Sequence, residues 1–163
     1  MRTAPPSAAM PASGRSESWH AFLSGQTPGL CRSIGDLLTV FHSLVVEDPV
    51  LNLVAARVAQ LNHCAPSLAA HIELAKRQGE HPMRLCHLSA WRDSSLFGPR
   101  ERAALEWAEI FGTSSLTQVD LKSVDDRVDI GLSAKDISTL GFVIVVVNLC
   151  SQLQLTAAAL GPA

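Results

Sequence analysis

An all-α fold in a single domain is what this sequence predicts, and three observations carry the prediction. Apolar residues recur at helical spacing along most of the chain. Proline and glycine fall where such stretches would begin and end. Aromatic content is only 5% and tyrosine is absent, so Leu, Val, Ile and Ala must fill the core, a composition suited to helices packed on helices. The length of 163 residues, 47% of them hydrophobic, fits one domain with a sizeable core.

The elements follow in order. Residues 1–18 are rich in Ala, Pro and Ser and are expected to form a disordered leader, since such a composition buries too little apolar surface to order itself. Pro5, Pro6 and Pro11 would interrupt the amphipathic helix that an organelle transit peptide needs. The helical domain is assigned to 19–163. Its first helix carries the stripe Leu30, Ile34, Leu37, Leu38, Phe41, Leu44 and Val45. Asp48 and Pro49 then form a helix start, with a second helix running to about Leu61 on the stripe Leu51, Val54, Val58 and Leu61. Pro66 fits only a first turn, so a third helix should begin near Cys64, run to about Lys76 and be stopped by Gly79.

A short helix fits Met83 to Ala90, and another fits Pro99 to Phe111 with Gly112 as its stop; Leu121, Val124 and Val128 mark a sixth. The last helix should open at the capping box of Ser133 and Asp136 and continue to about Ala159 as the central buried helix. Its run Leu140 to Val147 is too short to span a bilayer and is closely flanked by polar residues. The same run could be a buried strand by periodicity alone, but the capping box and the lack of any other strand signal decide for helix.

A formal charge of −2 gives no basic field, which argues against nucleic acid and anionic membranes as partners. The widely spaced Cys31, Cys64, Cys86 and Cys150 do not read as a disulfide framework. His63, Cys64, His71, Cys86 and His87 lack the spacing of a metal site, so neither metal nor cofactor is expected. Asp125, Asp126, Glu101 and Glu106 read as solvated helix faces, and Trp91 and Trp107 as packing anchors.

The chemistry-bearing cluster is Cys64, Ser67 and His71. Spacings of three, four and seven residues put all three on one helix face. A sulfur at a helix start faces unpaired amides and the positive end of the helix dipole, a setting that favours nucleophilic chemistry. His71 is the candidate proton shuttle and Ser67 a hydrogen-bond partner, while Arg57 could add positive charge.

The stretch Val58-Ala59-Gln60-Leu61-Asn62-His63-Cys64-Ala65-Pro66-Ser67-Leu68-Ala69-Ala70-His71 resembles the signature of the carboxymuconolactone decarboxylase and alkyl hydroperoxidase D superfamily. Leu88 to Phe97 and Glu101 to Glu109 look like the linker and helix that follow it, and the likeness extends over roughly 48–156. The resemblance implies an all-helical bundle of about six to seven helices and a homo-oligomer, trimer or hexamer. It also implies a cytoplasmic protein whose paired cysteines reduce hydroperoxides with an external thiol reductant.

By position, the first cysteine of the family pair is Cys64 and the histidine is His71, whereas the second cysteine is Ser67. The family's acidic relay residue falls on Asn52, and the residue between the cysteines on Pro66. Near the C-terminus Asn148-Leu149-Cys150-Ser151-Gln152 departs from the family pattern. With Ser67 in place of a thiol, Cys86 and Cys150 are the candidate resolving groups. The expectation is therefore a weak thiol peroxidase acting through Cys64. The alternatives are a lactone decarboxylase holding a small carboxylated substrate with Arg57 and Asn52, or a non-catalytic helical oligomer.

Overall fold

Proline opens most of the helices, because its missing N–H is one a first turn leaves unpaired in any case. The computed structural model describes residues 27–112 and 132–160. Within them Pro28 starts α1 (Pro28–Glu47), Pro49 starts α2 (Pro49–Leu61), Pro82 starts α4 (Pro82–His87) and Pro99 starts α5 (Pro99–Gly112). Pro66 is the second residue of α3 (Ala65–Arg77). The last helix, α6 (Ala134–Leu160), opens instead on the expected capping box: Ser133 Oγ accepts from the Asp136 N–H, and the Asp136 carboxylate accepts from the Ser133 N–H at 2.9 Å. No strand occurs among the described residues. The leader 1–18, the sixth helix marked by Leu121, Val124 and Val128, and the pair Asp125 and Asp126 lie outside the described residues.

The expected Met83 to Ala90 helix is shorter than its pattern suggests. Regular α4 ends at His87, and Leu88–Asp93 continues as a 3-10 helix in which Ala90 leaves helical geometry. The Arg102 guanidinium collects the carbonyls of Arg92, Ser94 and Phe97, fastening this tighter turn to α5.

The central element is α2 rather than the last helix. Leu51, Asn52, Leu53, Val54, Ala55, Ala56, Val58 and Ala59 are all buried, so α2 is enclosed all round and not along the single stripe its sequence suggests. One side packs with Phe41 and Val45 of α1, Ala104 and Ala108 of α5, and Leu140, Val143, Ile144, Val146 and Val147 of α6. Leu53 and Ala56 face a second cluster with Ala75, Leu85, Leu88, Trp91, Phe97 and Leu105. The small residues Ala55, Ala56 and Ala59 allow neighbouring helices to close in on every face. Gly112 serves the same purpose at the end of α5, where a Cβ would stand 3.2 Å from a Val58 methyl carbon.

By contrast α6 buries one face, Leu140, Val143, Ile144, Val146, Val147 and Ser151, while Val145 is 65% exposed. By length and composition alone, α1 and α6 are apolar enough to cross a membrane, with mean hydropathies of 1.3 and 1.7. In this fold each lays one face into the shared core.

Candidate functional site

The turn that delivers Cys64 is a helix stop. The His63 N–H bonds to Gln60 O at 3.0 Å and the Cys64 N–H to Ala59 O at 3.0 Å, the paired bonds of a Schellman motif. The left-handed position in that motif is held by His63, at φ 52°, and not by glycine. The same motif ends α3, where Gly79 at φ 83° takes the left-handed position as expected from sequence.

Cys64 is therefore the N-cap residue of α3, and its sulfur does not cap the helix amides. The sulfur instead donates to Gln154 Oε1 of α6 at 3.0 Å, and the Ser67 hydroxyl donates to the same oxygen at 3.2 Å. Cys64 and Ser67 are thus brought together as expected, and both are buried. Gln154 was missed in the sequence, and Gln152, in the stretch that departs from the family pattern, is exposed. Extending the α6 stripe from Ser151 by three residues reaches 154, so the helical phase held the missing signal. Cys150 lies one turn before Gln154 on α6. Burial, with a further contribution from the neighbouring Cys64, pushes its thiol up to about 11. Ser151 beside it is fully buried, with a hydroxyl that has no hydrogen-bond partner among the described residues.

His71, one turn further along α3 from Ser67, enters a different network. Its Nδ1 lies 3.0 Å from Asn52 Oδ1, and Asn52 Nδ2 donates to the His71 carbonyl and to Gln78 Oε1, each at 3.1 Å. The His71 ring also meets Phe41 edge-on, with centroids 5.8 Å apart. Burial lowers the His71 pKa to about 4. Asn52 is 1% exposed and its amide is fully committed inside the protein, which leaves it no group to offer a substrate.

Arg57 is likewise engaged. Its Nε and Nη2 donate to Glu109 Oε1 at 3.0 and 2.6 Å, and Nη1 donates to Gln60 at 3.0 Å. Glu109 also accepts from the Trp91 indole at 2.9 Å and from Arg92 at 2.7 Å. Burial alone would raise the Glu109 carboxyl, but the bonds from Trp91, Arg57 and Arg92 outweigh it and hold the pKa below the usual range. The role expected for Arg57, free positive charge or a carboxylate anchor, is replaced by a clamp joining α2, α5 and the 3-10 helix. Trp91 is the buried anchor expected, with its polar edge on Glu109. Trp107 stacks on Phe111 at 4.6 Å.

Glu101 and Glu106 are not simply solvated. Glu101 accepts from the Gly98 N–H at the start of α5 and pairs with Arg84, while Glu106 pairs with Arg92. Among the described residues no three His, Cys, Asp or Glu side chains are grouped to hold a metal ion.

Residues 48–109 match the model of the carboxymuconolactone decarboxylase family, a segment containing α2, Cys64, Ser67, His71 and Glu109. The uncharacterized protein YdfG of Bacillus subtilis is 35% identical over 75 residues, which cover 46% of this chain and 48% of that protein. The match thus spans about half the length of that relative. In fold, the chain is similar to a crystal structure from Agrobacterium tumefaciens of a protein of unknown function, named as a candidate antioxidant defence protein AhpD. The TM-score is 0.73 at 18% identity, over 86% of this chain and 95% of that one. Over 48–109 the chain is thus similar to the carboxymuconolactone decarboxylase family, and its all-helical architecture is similar to that of the AhpD-named protein.

Proposed function

We propose that this protein is a slow thiol peroxidase of the AhpD type, acting through Cys64 with Cys150 as the second thiol. The observation that carries the reading is the convergence of Cys64 and Ser67 on Gln154, one helical turn from Cys150. In the first step the Cys64 sulfur attacks the terminal oxygen of an organic hydroperoxide. An S–O bond forms, the O–O bond breaks, and the alkoxide leaves with a proton as an alcohol, so that Cys64 becomes a sulfenic acid. In the second step the Cys150 sulfur attacks Cys64; an S–S bond forms and water departs. An external dithiol then reduces the disulfide by exchange.

Three features make the cycle slow. Cys64 is buried under Gln154, and its S–H is held by a carbonyl acceptor. Cys150, with a thiol pushed up to about 11, is a reluctant attacking group near neutral pH. His71, lowered to about 4, accepts a proton only weakly. A relay carboxylate is what the family pattern has at Asn52, and positioned acid–base groups supply roughly 10²- to 10⁴-fold in rate.

The reading extends to a cytoplasmic homo-oligomer, with exposed Val40 of α1 and Val145 of α6 as apolar surface for subunit contact. The test is dithiol-dependent consumption of cumene hydroperoxide. Slow turnover is expected for the wild type and none for Cys64→Ser. Equal consumption by the two proteins would overturn the reading.

A further inference from the structure

The hydrogen bonds around His71 fix which of its ring nitrogens carries the proton, because the chain of bonds ends on main-chain groups whose roles cannot be reversed. Val45 O and Val46 O, in the last turn of α1, are acceptors only. Each is approached by the Gln78 side chain, at 2.8 and 3.2 Å, so the group facing them must be the Gln78 amide nitrogen. Gln78 Oε1 is then turned to Asn52, which must meet it with Nδ2. The His71 carbonyl, a second irreversible acceptor, independently demands the same Asn52 nitrogen at 3.1 Å. Asn52 Oδ1 is left for the ring, and an oxygen acceptor 3.0 Å from His71 Nδ1 requires that nitrogen to donate.

We infer that Gln78 and Asn52 are positioning residues that lock His71 as its Nδ1–H tautomer, leaving Nε2 as the basic nitrogen of the ring. Nε2 has no hydrogen-bond partner among the described residues, so it is left to accept a proton. A neutral ring free in water prefers the opposite tautomer, and the amide chain reverses that preference. Three helices contribute: α1 supplies the terminal carbonyls, Gln78 caps the end of α3, and Asn52 lies within α2. Burial keeps the ring neutral, so the lock selects between two neutral forms and does not hold an imidazolium. The tautomer assignment stands on the hydrogen bonds alone. Its use in moving the thiol proton rests on the peroxidase reading above.

The test is a nitrogen-15 to proton multiple-bond correlation spectrum of the histidine-labelled full chain at pH 7, with His71 assigned by its disappearance in His71→Gln. The wild type is expected to show a pyrrole-type Nδ1 and a pyridine-type Nε2 at His71. A pyrrole-type Nε2 would overturn the inference. Gln78→Ala is expected to leave His71 as a mixture of tautomers, and an unchanged Nδ1–H signal there would remove Gln78 from the assignment. Hydroperoxide-driven oxidation of Cys64, followed in the same samples, is expected to slow in Gln78→Ala. If Cys64 is inert even in the wild type while the Nδ1–H signal is present, the peroxidase reading falls and the tautomer lock stands.

Discussion

At His71 the cost of burial falls on the protonated ring. Its pKa drops from 6.5 to about 4 because the pocket made with Phe41 and Asn52 offers an amide oxygen and no charge to an imidazolium. Between those values the unfolded chain binds a proton that the native protein refuses. Stability from this group is therefore complete above pH 6.5 and declines as pH falls toward 4, by roughly 3 kcal/mol in all. Thermal melts across that range should show the decline in the wild type and a flatter profile in His71→Gln; parallel profiles would mean that His71 is not the responsible group. This behaviour was not legible in the sequence. The spacing of Cys64, Ser67 and His71 indicated one shared face, but it carried no information on the partners across that face. Those partners, Gln154 and Asn52, come from α6 and α2, and they draw the three residues into two networks.

Helix boundaries, in contrast, were largely written in the chain, because their causes are local. Asp48 accepts from the Val50 N–H at 3.0 Å, proline occupies first turns, and Gly79 ends α3. The boundary that sequence reasoning had no means to place is the left-handed residue before Cys64, since a histidine there gives no glycine-like signal. His63 is exposed, so removing its side chain costs little packing, while glycine relieves the strain of φ 52°. His63→Gly is expected to stabilise the protein by about 1 kcal/mol, seen as a raised melting temperature. A lowered one would show that the His63 side chain makes a contribution larger than its backbone strain. The Met83 to Ala90 stretch was misjudged because Ala90 leaves helical geometry inside it, and just beyond it Arg102 of the next helix holds the Arg92, Ser94 and Phe97 carbonyls.

Over the whole molecule, the choice of central helix depended on long-range packing. The Val-rich run of α6 looks like the most buried segment, yet the alanines of α2 let neighbouring helices approach it on every side, and α2 takes the centre. Arg57 shows the same limit at the level of charge, since its partner Glu109 is brought to it only by the folded bundle. Glu109→Ala would leave the Arg57 guanidinium and the Trp91 indole without their acceptor in a half-buried setting. A loss of roughly 3 kcal/mol in urea unfolding is expected. A loss below about 1 kcal/mol would class the clamp with ordinary surface pairs.

The all-helical fold and the family resemblance were legible because capping, periodicity and the Cys64 to His71 segment are local features. The pairing of Cys64 with the Cys150 region was not, because it depends on where α6 crosses the start of α3. The most direct test of that pairing is mass spectrometry of the reduced protein after brief exposure to equimolar organic hydroperoxide, with peptide mapping of every cysteine. Cys64 is expected to oxidise first and to end in a disulfide with Cys150, formed faster as pH is raised from 7 toward the Cys150 value of about 11. A Cys64 that stays reduced, or oxidation led by the exposed Cys86, would contradict that pairing.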